Sequence, residues 1–291
     1  MDVTLLRLRD DIPPLTAPVL LGAFDGWIDA GGAASAAAAR LADDGEIVAV
    51  AEHDILFDYR SRRPVLDVID GTLTHLAWPE LAIRRQNTGE RDLLILHGPE
   101  PDFRWRELGD ITAEIAVRLG VVQWVSVGAI PAAVPHTRPV PVFGTASADG
   151  LLRDDVAKGP DGLLRVPSAA LSVLEMSVAG TGIPTVGFYA QVPHYVSGPY
   201  APGAIALIEQ LGRHLGVELP LGDLPDEAVA QRSRLDAAVG DDEDAQRYLE
   251  RLESIAGDEE GLPSGDELAS EIERFLRGEG PGQAGDPPHA T

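Results

Sequence analysis

Leu93-Leu94-Ile95-Leu96 is a run of four apolar residues with no polar residue between them, closed by His97-Gly98-Pro99. A strand wetted on one face alternates apolar with polar side chains. An unbroken run predicts a strand covered on both faces, as in the parallel centre of an α/β sheet. Working outward, Val19-Leu20-Leu21-Gly22-Ala23-Phe24, Val121 to Val127 and Ile183 to Val192 read as further strands, with Ile47 to Ala51 and Val140 to Phe143 beside them. Helical patterns separate them. Ala33 to Leu41 is alanine-dense, and Leu108 to Leu119 places Ile111, Ile115 and Leu119 four residues apart. Pro167-Ser168 opens a helix through Val178 with Ser168 as its N-cap, and Pro202 to Leu215 closes the pattern. Asp70-Gly71, between Val68-Ile69 and Leu73, is a hairpin signal, so antiparallel strands are expected from Val65 to about Ile83. The alternation predicts an α/β fold, a mixed sheet covered by helices.

Beyond Pro220 the strand pattern stops. Asp226 to Ile255 is polar and helical, broken near Gly240-Asp241-Asp242, with Leu249, Leu252 and Ile255 on one face. A further helix is expected from Asp266 to Leu276, and the Gly- and Pro-rich residues from Gly278 to Thr291 are expected to be disordered. The expected organisation is a core over residues 1–219, an acidic helical extension over 220–277 and a tail over 278–291. The acidic helices could hold a basic partner, but the plainer reading lays them across their own core with a solvated outer face.

Composition narrows the function classes. The 291 residues carry a net charge of -24, and residues 221–280 alone hold 18 Asp/Glu against 6 Arg. Such a surface repels nucleic acid and anionic membrane, so neither is an expected partner. No apolar run approaches the roughly 20 residues that cross a bilayer, and the N-terminus has no basic start or signal cleavage site, so a cytoplasmic location is expected. There is no cysteine, which removes thiolate catalysis, disulfides and thiolate metal sites.

The turn Phe24-Asp25-Gly26-Trp27-Ile28-Asp29-Ala30-Gly31-Gly32 follows a strand and opens a helix, where dinucleotide folds bind phosphate. Its glycines are not spaced as G-x-G-x-x-G, and Asp25 and Asp29 put negative charge where a phosphate would sit. A structural turn with Asp29 at the helix start is the better reading, leaving Trp27 as an exposed partner contact. His97, His136 and His194 each fall beside a proline just past an expected strand. Loops at the carboxyl ends of parallel strands form ligand crevices, so these histidines could share a rim with Asp102, Arg104, Arg138 and Tyr195. The cluster could bind metal or serve acid–base chemistry, but no H-E-x-x-H spacing is present and no metal or cofactor is expected. Hydrogen bonding of each histidine to loop backbone is the plainer reading. Trp124-Val125-Ser126-Val127-Gly128 is half of a nucleophile elbow, but Ser126 stands inside the apolar run and reads as a small buried strand residue.

Several unusual strings agree with one another. They are Phe24-Asp25-Gly26-Trp27, Asp58-Tyr59-Arg60-Ser61-Arg62-Arg63-Pro64, Gly98-Pro99-Glu100-Pro101-Asp102-Phe103-Arg104-Trp105, Val134-Pro135-His136-Thr137-Arg138-Pro139 and Val192-Pro193-His194-Tyr195-Val196. Over roughly residues 18–255 the chain resembles the bacterial, chiefly actinobacterial, branch of the proteasome assembly chaperone family. The resemblance implies a three-layer α/β/α sandwich similar to the nucleoside phosphorylase fold, self-association and a helical C-terminal addition; with no complete catalytic motif in the chain, a protein-binding role is expected ahead of a catalytic one. The resemblance does not carry phosphorylase activity with it, because activity belongs to a site and not to a fold. The alternative is a small-molecule binder or a hydrolase- or phosphorylase-like enzyme at the strand ends. Relatives that dock on proteasomes often end in a hydrophobic residue, tyrosine and one more residue; His289-Ala290-Thr291 departs from that pattern.

Overall fold

The computed structural model describes residues 5–159 and 162–258. The first half of the chain forms β1 (Leu6–Leu8), β2 (Val19–Asp25), α1 (Ala33–Ala42), β3 (Glu46–Ala51), α2 (His53–Leu56), β4 (Val65–Ile69), β5 (Thr72–Ala77), β6 (Ala82–Asn87) and β7 (Asp92–Pro99). Then come α3 (Trp105–Arg118), β8 (Gln123–Ala132), β9 (Val142–Ala146), β10 (Ala157–Lys158), α4 (Ala170–Ala179), β11 (Thr185–Pro193) and α5 (Ala201–Leu215). The acidic helices are α6 (Leu224–Gly240) and α7 (Glu243–Asp258). The helix and tail expected beyond residue 258 lie outside the described residues.

Nine of these strands form one mixed sheet in the order β1-β3-β6-β7-β2-β8-β11-β9-β10. Its centre, β7-β2-β8-β11, is parallel throughout, and β6 and β9 flank it antiparallel. The unbroken apolar runs lie in β7 and β2, while β8 and β11 are apolar apart from a few polar residues, of which Ser126, Thr185 and Gln191 are buried. Alternate residues serve two cores. Val19, Leu21, Ala23, Leu93 and Ile95 face α1 and α5, while Leu20, Leu94, Leu96 and Trp124 face α3 and α4. Two buried faces account for the absence of polar alternates in residues 93–96 and 19–24. Gly22 leaves room for an aromatic side chain: a Cβ there would lie 2.6 Å from the Trp124 ring. The result is a three-layer α/β/α sandwich, with α6 packed on α5 and α7 on α6.

Some local expectations differ. Ser168 does not cap α4: the chain is still extended at Ala169, the Ser168 hydroxyl donates to the Ala169 carbonyl, and the Ala170 amide donates to Glu100 Oε1 at 2.8 Å. β8 runs on to Ala132, beyond the expected Val127, because parallel pairing with β11 continues through Ile130–Gln191 to Ala132–Pro193. β1 and β10 are too short for any periodicity to show. The Asp70-Gly71 turn forms as expected, both residues at positive φ, but β4 and β5 stay a separate two-stranded sheet.

Candidate functional site

Parallel strands β7, β2, β8 and β11 bring their carboxyl ends to one edge, and the chain builds two different places there. At the end of β2 the turn Asp25-Gly26-Trp27 is fastened by Glu100. Its amide donates to the Asp25 carbonyl at 2.9 Å, and its Oε2 accepts the Trp27 amide at 3.0 Å. The other oxygen, Oε1, holds the first amide of α4, so a single carboxylate joins the turn to that helix. Gly26 must lack a side chain, since a Cβ would stand 2.5 Å from Glu100 Oε2. Arg62 closes the outside of the turn, donating to the Asp25 carbonyl at 2.9 Å with its other Nη 3.5 Å from the Asp25 carboxylate. The Trp27 side chain is left 42% exposed.

Asp29 occupies the start of α1. Its Oδ1 accepts the amides of Ala34 at 2.7 Å and Ser35 at 3.2 Å, taking the place that a phosphate has in a dinucleotide fold. Burial raises its carboxyl above the usual range, with the bonds from Ser35 and Ala34 opposing. A cleft of about 470 Å³ opens beside it, lined by Asp25, Ser35, Ala39, His97, Pro99 and Pro199. His97 is part of β7, with Nε2 buried and no hydrogen-bond partner among the described residues; burial lowers its imidazole.

Asp102 and Arg104 serve local structure. Asp102 Oδ2 accepts the Asp58 amide at 2.8 Å, tying the loop after α2 to the loop after β7. Arg104, at φ 60°, precedes α3 and bonds Glu107 through Nε at 2.7 Å. Trp105 donates its indole N–H to the Pro101 carbonyl at 2.6 Å.

The ends of β8 and β11 form the second place, and there the proline–histidine strings meet the acidic helices. The His136 amide donates to the Tyr195 hydroxyl at 2.8 Å, and that hydroxyl donates in turn to His136 Nδ1, also at 2.8 Å. The remaining nitrogen, Nε2–H, donates to Asp236 Oδ1 of α6 at 3.2 Å. Arg232 braces the same carboxylate through Nε at 2.8 and 2.9 Å and donates to the His136 carbonyl at 3.1 Å. His194 holds the Ala132 carbonyl through Nδ1–H at 3.1 Å, and its Nε2 accepts the Tyr248 hydroxyl of α7 at 3.2 Å. Thr137 donates to Glu253, and the Ala201 amide at the start of α5 donates to Gln231 of α6 at 2.8 Å. Burial lowers the His136 imidazole, with the bond to Asp236 opposing and the charge of Arg232 assisting. Burial also raises the Tyr195 phenol to about 12. A neutral histidine between a neutral tyrosine hydroxyl and a paired aspartate is a fastening, and α6 and α7 cover what would otherwise be the crevice.

The expected histidine rim is therefore divided. His136, His194 and Tyr195 come together. Three inter-strand steps of about 4.8 Å separate β7 from β11, so His97 stands ~14 Å away along the same edge. Arg138 is exposed, and its side chain makes no hydrogen bond or ion pair among the described residues. No group of three or more His, Cys, Asp or Glu among the described residues is placed to hold a metal ion. Ser126 is fully buried; it accepts the Trp124 indole N–H at 2.8 Å and donates to Glu175 Oε2 at 2.6 Å, away from the edge. Sequence reasoning missed Glu100, Arg232, Asp236, Tyr248 and Glu253. Glu100 lay inside a distinctive string, whereas the helical four look like any solvated helix face.

The comparisons with known proteins bear on the whole arrangement. Residues 23–239, which include the Trp27 turn and the His136, Tyr195 and Asp236 contacts but not Tyr248 and Glu253 of α7, match the model of the PAC2 family. The chain belongs to the PAC2 family. No curated protein matches this PAC2 chain. Among solved structures it is similar to a Mycobacterium tuberculosis proteasome-assembly chaperone homologue, at 35% identity over 79% of this chain and 99% of that one, with a TM-score of 0.72. A PAC2 family protein from Streptomyces avermitilis is 34% identical over 80% and 99%, with a TM-score of 0.70. A Mycobacterium tuberculosis protein of unknown function is 32% identical over 94% and 92%, with a TM-score of 0.80. Among the described residues no helix of this PAC2 member is long and apolar enough to cross a membrane.

Proposed function

We propose that this PAC2 chain is a cytoplasmic, self-associating protein-binding module of the proteasome assembly chaperone type, working without catalysis. The observation that carries the reading is the use made of the carboxyl edge. His136, His194 and Tyr195 spend their polar atoms on α6, α7 and loop backbone, so the groups best suited to acid–base chemistry hold structure together. What stays accessible beside them is Trp27 on a turn that Glu100 holds rigid, the kind of anchor protein interfaces use. The proteasome connection comes from the Mycobacterium tuberculosis relative described as a proteasome-assembly chaperone homologue. Native mass spectrometry of the purified chain mixed with proteasome α subunits tests it. A complex that Trp27→Ala weakens is expected; no complex, or one indifferent to Trp27, contradicts the reading.

One observation favours a second reading, a small-molecule site. The cleft at His97 is open, and its imidazole Nε2 has no partner among the described residues. A thermal-shift screen with nucleosides, sugars, phosphates and divalent metals decides it. A ligand at about 100 times its Kd adds about 2.7 kcal/mol of stability. A shift that His97→Ala abolishes supports the second reading; a flat screen removes it.

A further inference from the structure

The hairpin β4–β5 is the least explained part of the molecule. Leu66 pairs with Leu76 and Val68 with Leu73, with a register shift between Asp67 and Val68. Leu66 and Val68, two apart, share a face, and their cross-strand partners Leu76 and Leu73 share it with them across the register shift, so the four form one aliphatic face. Every residue of both strands is exposed, from 42% at Leu76 to 69% at Leu73 among the aliphatics of that face. Among the described residues neither strand packs substantially on any other element. At the root, Trp78 stands edge-on to Tyr59, ring centroids 4.8 Å apart, and is itself half exposed. A two-stranded hairpin on its own is marginal in water, and an uncovered aliphatic face with open strand edges invites pairing.

We propose that this arm is the surface by which one copy of the chain holds a second copy. The proposal rests on the self-association put forward above and names where it happens. Two features argue for a second copy as the occupant. The first is the spread of apolar surface. Apolar side chains stand exposed on both faces of the arm, Leu66, Val68, Leu73 and Leu76 on one and Val65 and Ile69 on the other, so burying them takes a partner large enough to clasp the arm. The second is charge. The aliphatic face carries none, so two molecules of net charge -24 meet there at the least electrostatic cost. Exposed Arg63 stands at the root of the arm next to Arg60, whose Nε lies 3.6 Å from Asp58, and a second copy of this acidic protein supplies the surface that complements Arg63.

Sedimentation velocity on the full chain tests the arm with two variants. Leu66→Asp with Leu73→Asp places charge on the aliphatic face, and replacement of Val65–Ala77 by a short Gly–Ser turn removes the arm without touching either core. The native chain is expected to sediment at a multiple of 30.8 kDa and each variant at the mass of its own single chain, with unchanged far-ultraviolet circular dichroism apart from the lost hairpin. In affinity the expected weakening is about a hundredfold or more, as loss of a central apolar contact gives. A native chain of 30.8 kDa overturns the proposal together with the self-association beneath it. A native oligomer that both variants retain overturns the arm alone and leaves self-association standing.

Discussion

Asp236 of α6 lies 3.2 Å from Nε2 of His136, a hundred residues earlier in the chain, and this contact joins the acidic helices to the sheet. The same imidazole accepts from Tyr195 through its other nitrogen, so it spans from the end of β11 to α6. Few apolar side chains back the contact. Leu224 and Leu252 are the buried aliphatics of α6 and α7 among the described residues, with Ala228 and Leu235 partly buried against the core, so polar bonds carry a large share of the fastening.

Asp236→Asn keeps the shape of the contact and removes the charge that Arg232 and His136 share. A loss of about 1–2 kcal/mol is expected, by the usual cost of a charge-assisted bond. The loss should fall in α6 and α7, read as faster local hydrogen exchange, while the sheet keeps its protection. Uniform acceleration across the molecule would contradict the localisation.

Acid should loosen the protein through its buried histidines. Burial is the leading cause that holds His136, His97 and His214 below the ordinary value of 6.5. The folded state then takes up protons less readily than the unfolded chain. Stability is complete above about pH 6.5 and is lost as pH falls from there through the folded values. Urea unfolding at about pH 7.5 and about pH 5.5 should show a larger loss for the native chain than for His136→Asn. Equal losses would show that His136 does not contribute.

Glu175 carries the opposite sign. Burial raises its carboxyl, against hydrogen bonds from Ser126 and Thr185. The charged form costs stability above the folded value, and the cost is relieved as pH falls toward 4.5. Glu175→Gln should therefore be at least as stable as the native chain at neutral pH, with the difference shrinking in acid. A loss of more than about 1 kcal/mol at neutral pH would mean that the charge is needed.

Glu100→Ala should cost about 1–3 kcal/mol, since it frees two backbone amides at once, and should loosen the Trp27 turn, seen as a shift in tryptophan emission. Glu100→Gln, which keeps an acceptor, should lose less. Equal losses would place the effect in packing and not in the bonds.

The central sheet was legible in the sequence because burial on both faces leaves a mark: Leu93 to Leu96 has no polar alternate, and neither has the run Val19 to Phe24. The hairpin turn was legible because Asp70-Gly71 must take positive φ at both residues. The partition of the strand-end residues was not. Sequence places His97, His136 and His194 on one edge, but strand order decides their separation, and order depends on pairings between distant segments. The role of α6 and α7 was hidden for another reason. Asp236, Tyr248 and Glu253 are polar residues on a polar helix, and nothing in periodicity distinguishes one that bonds the sheet from one that bonds water. Glu100 shows the converse: a capping carboxylate 70 residues from the amide it holds leaves no local signal.

The central claim, that the histidine-bearing edge is a fastening for the chain's own helices, is tested most directly by hydrogen exchange on the full chain. In the native protein residues 224–256 should be protected, and His136→Asn combined with Tyr248→Phe should release that stretch while residues 123–132 of β8 keep their protection. Helices that exchange freely in the native chain, or that stay protected in the double variant, would contradict it.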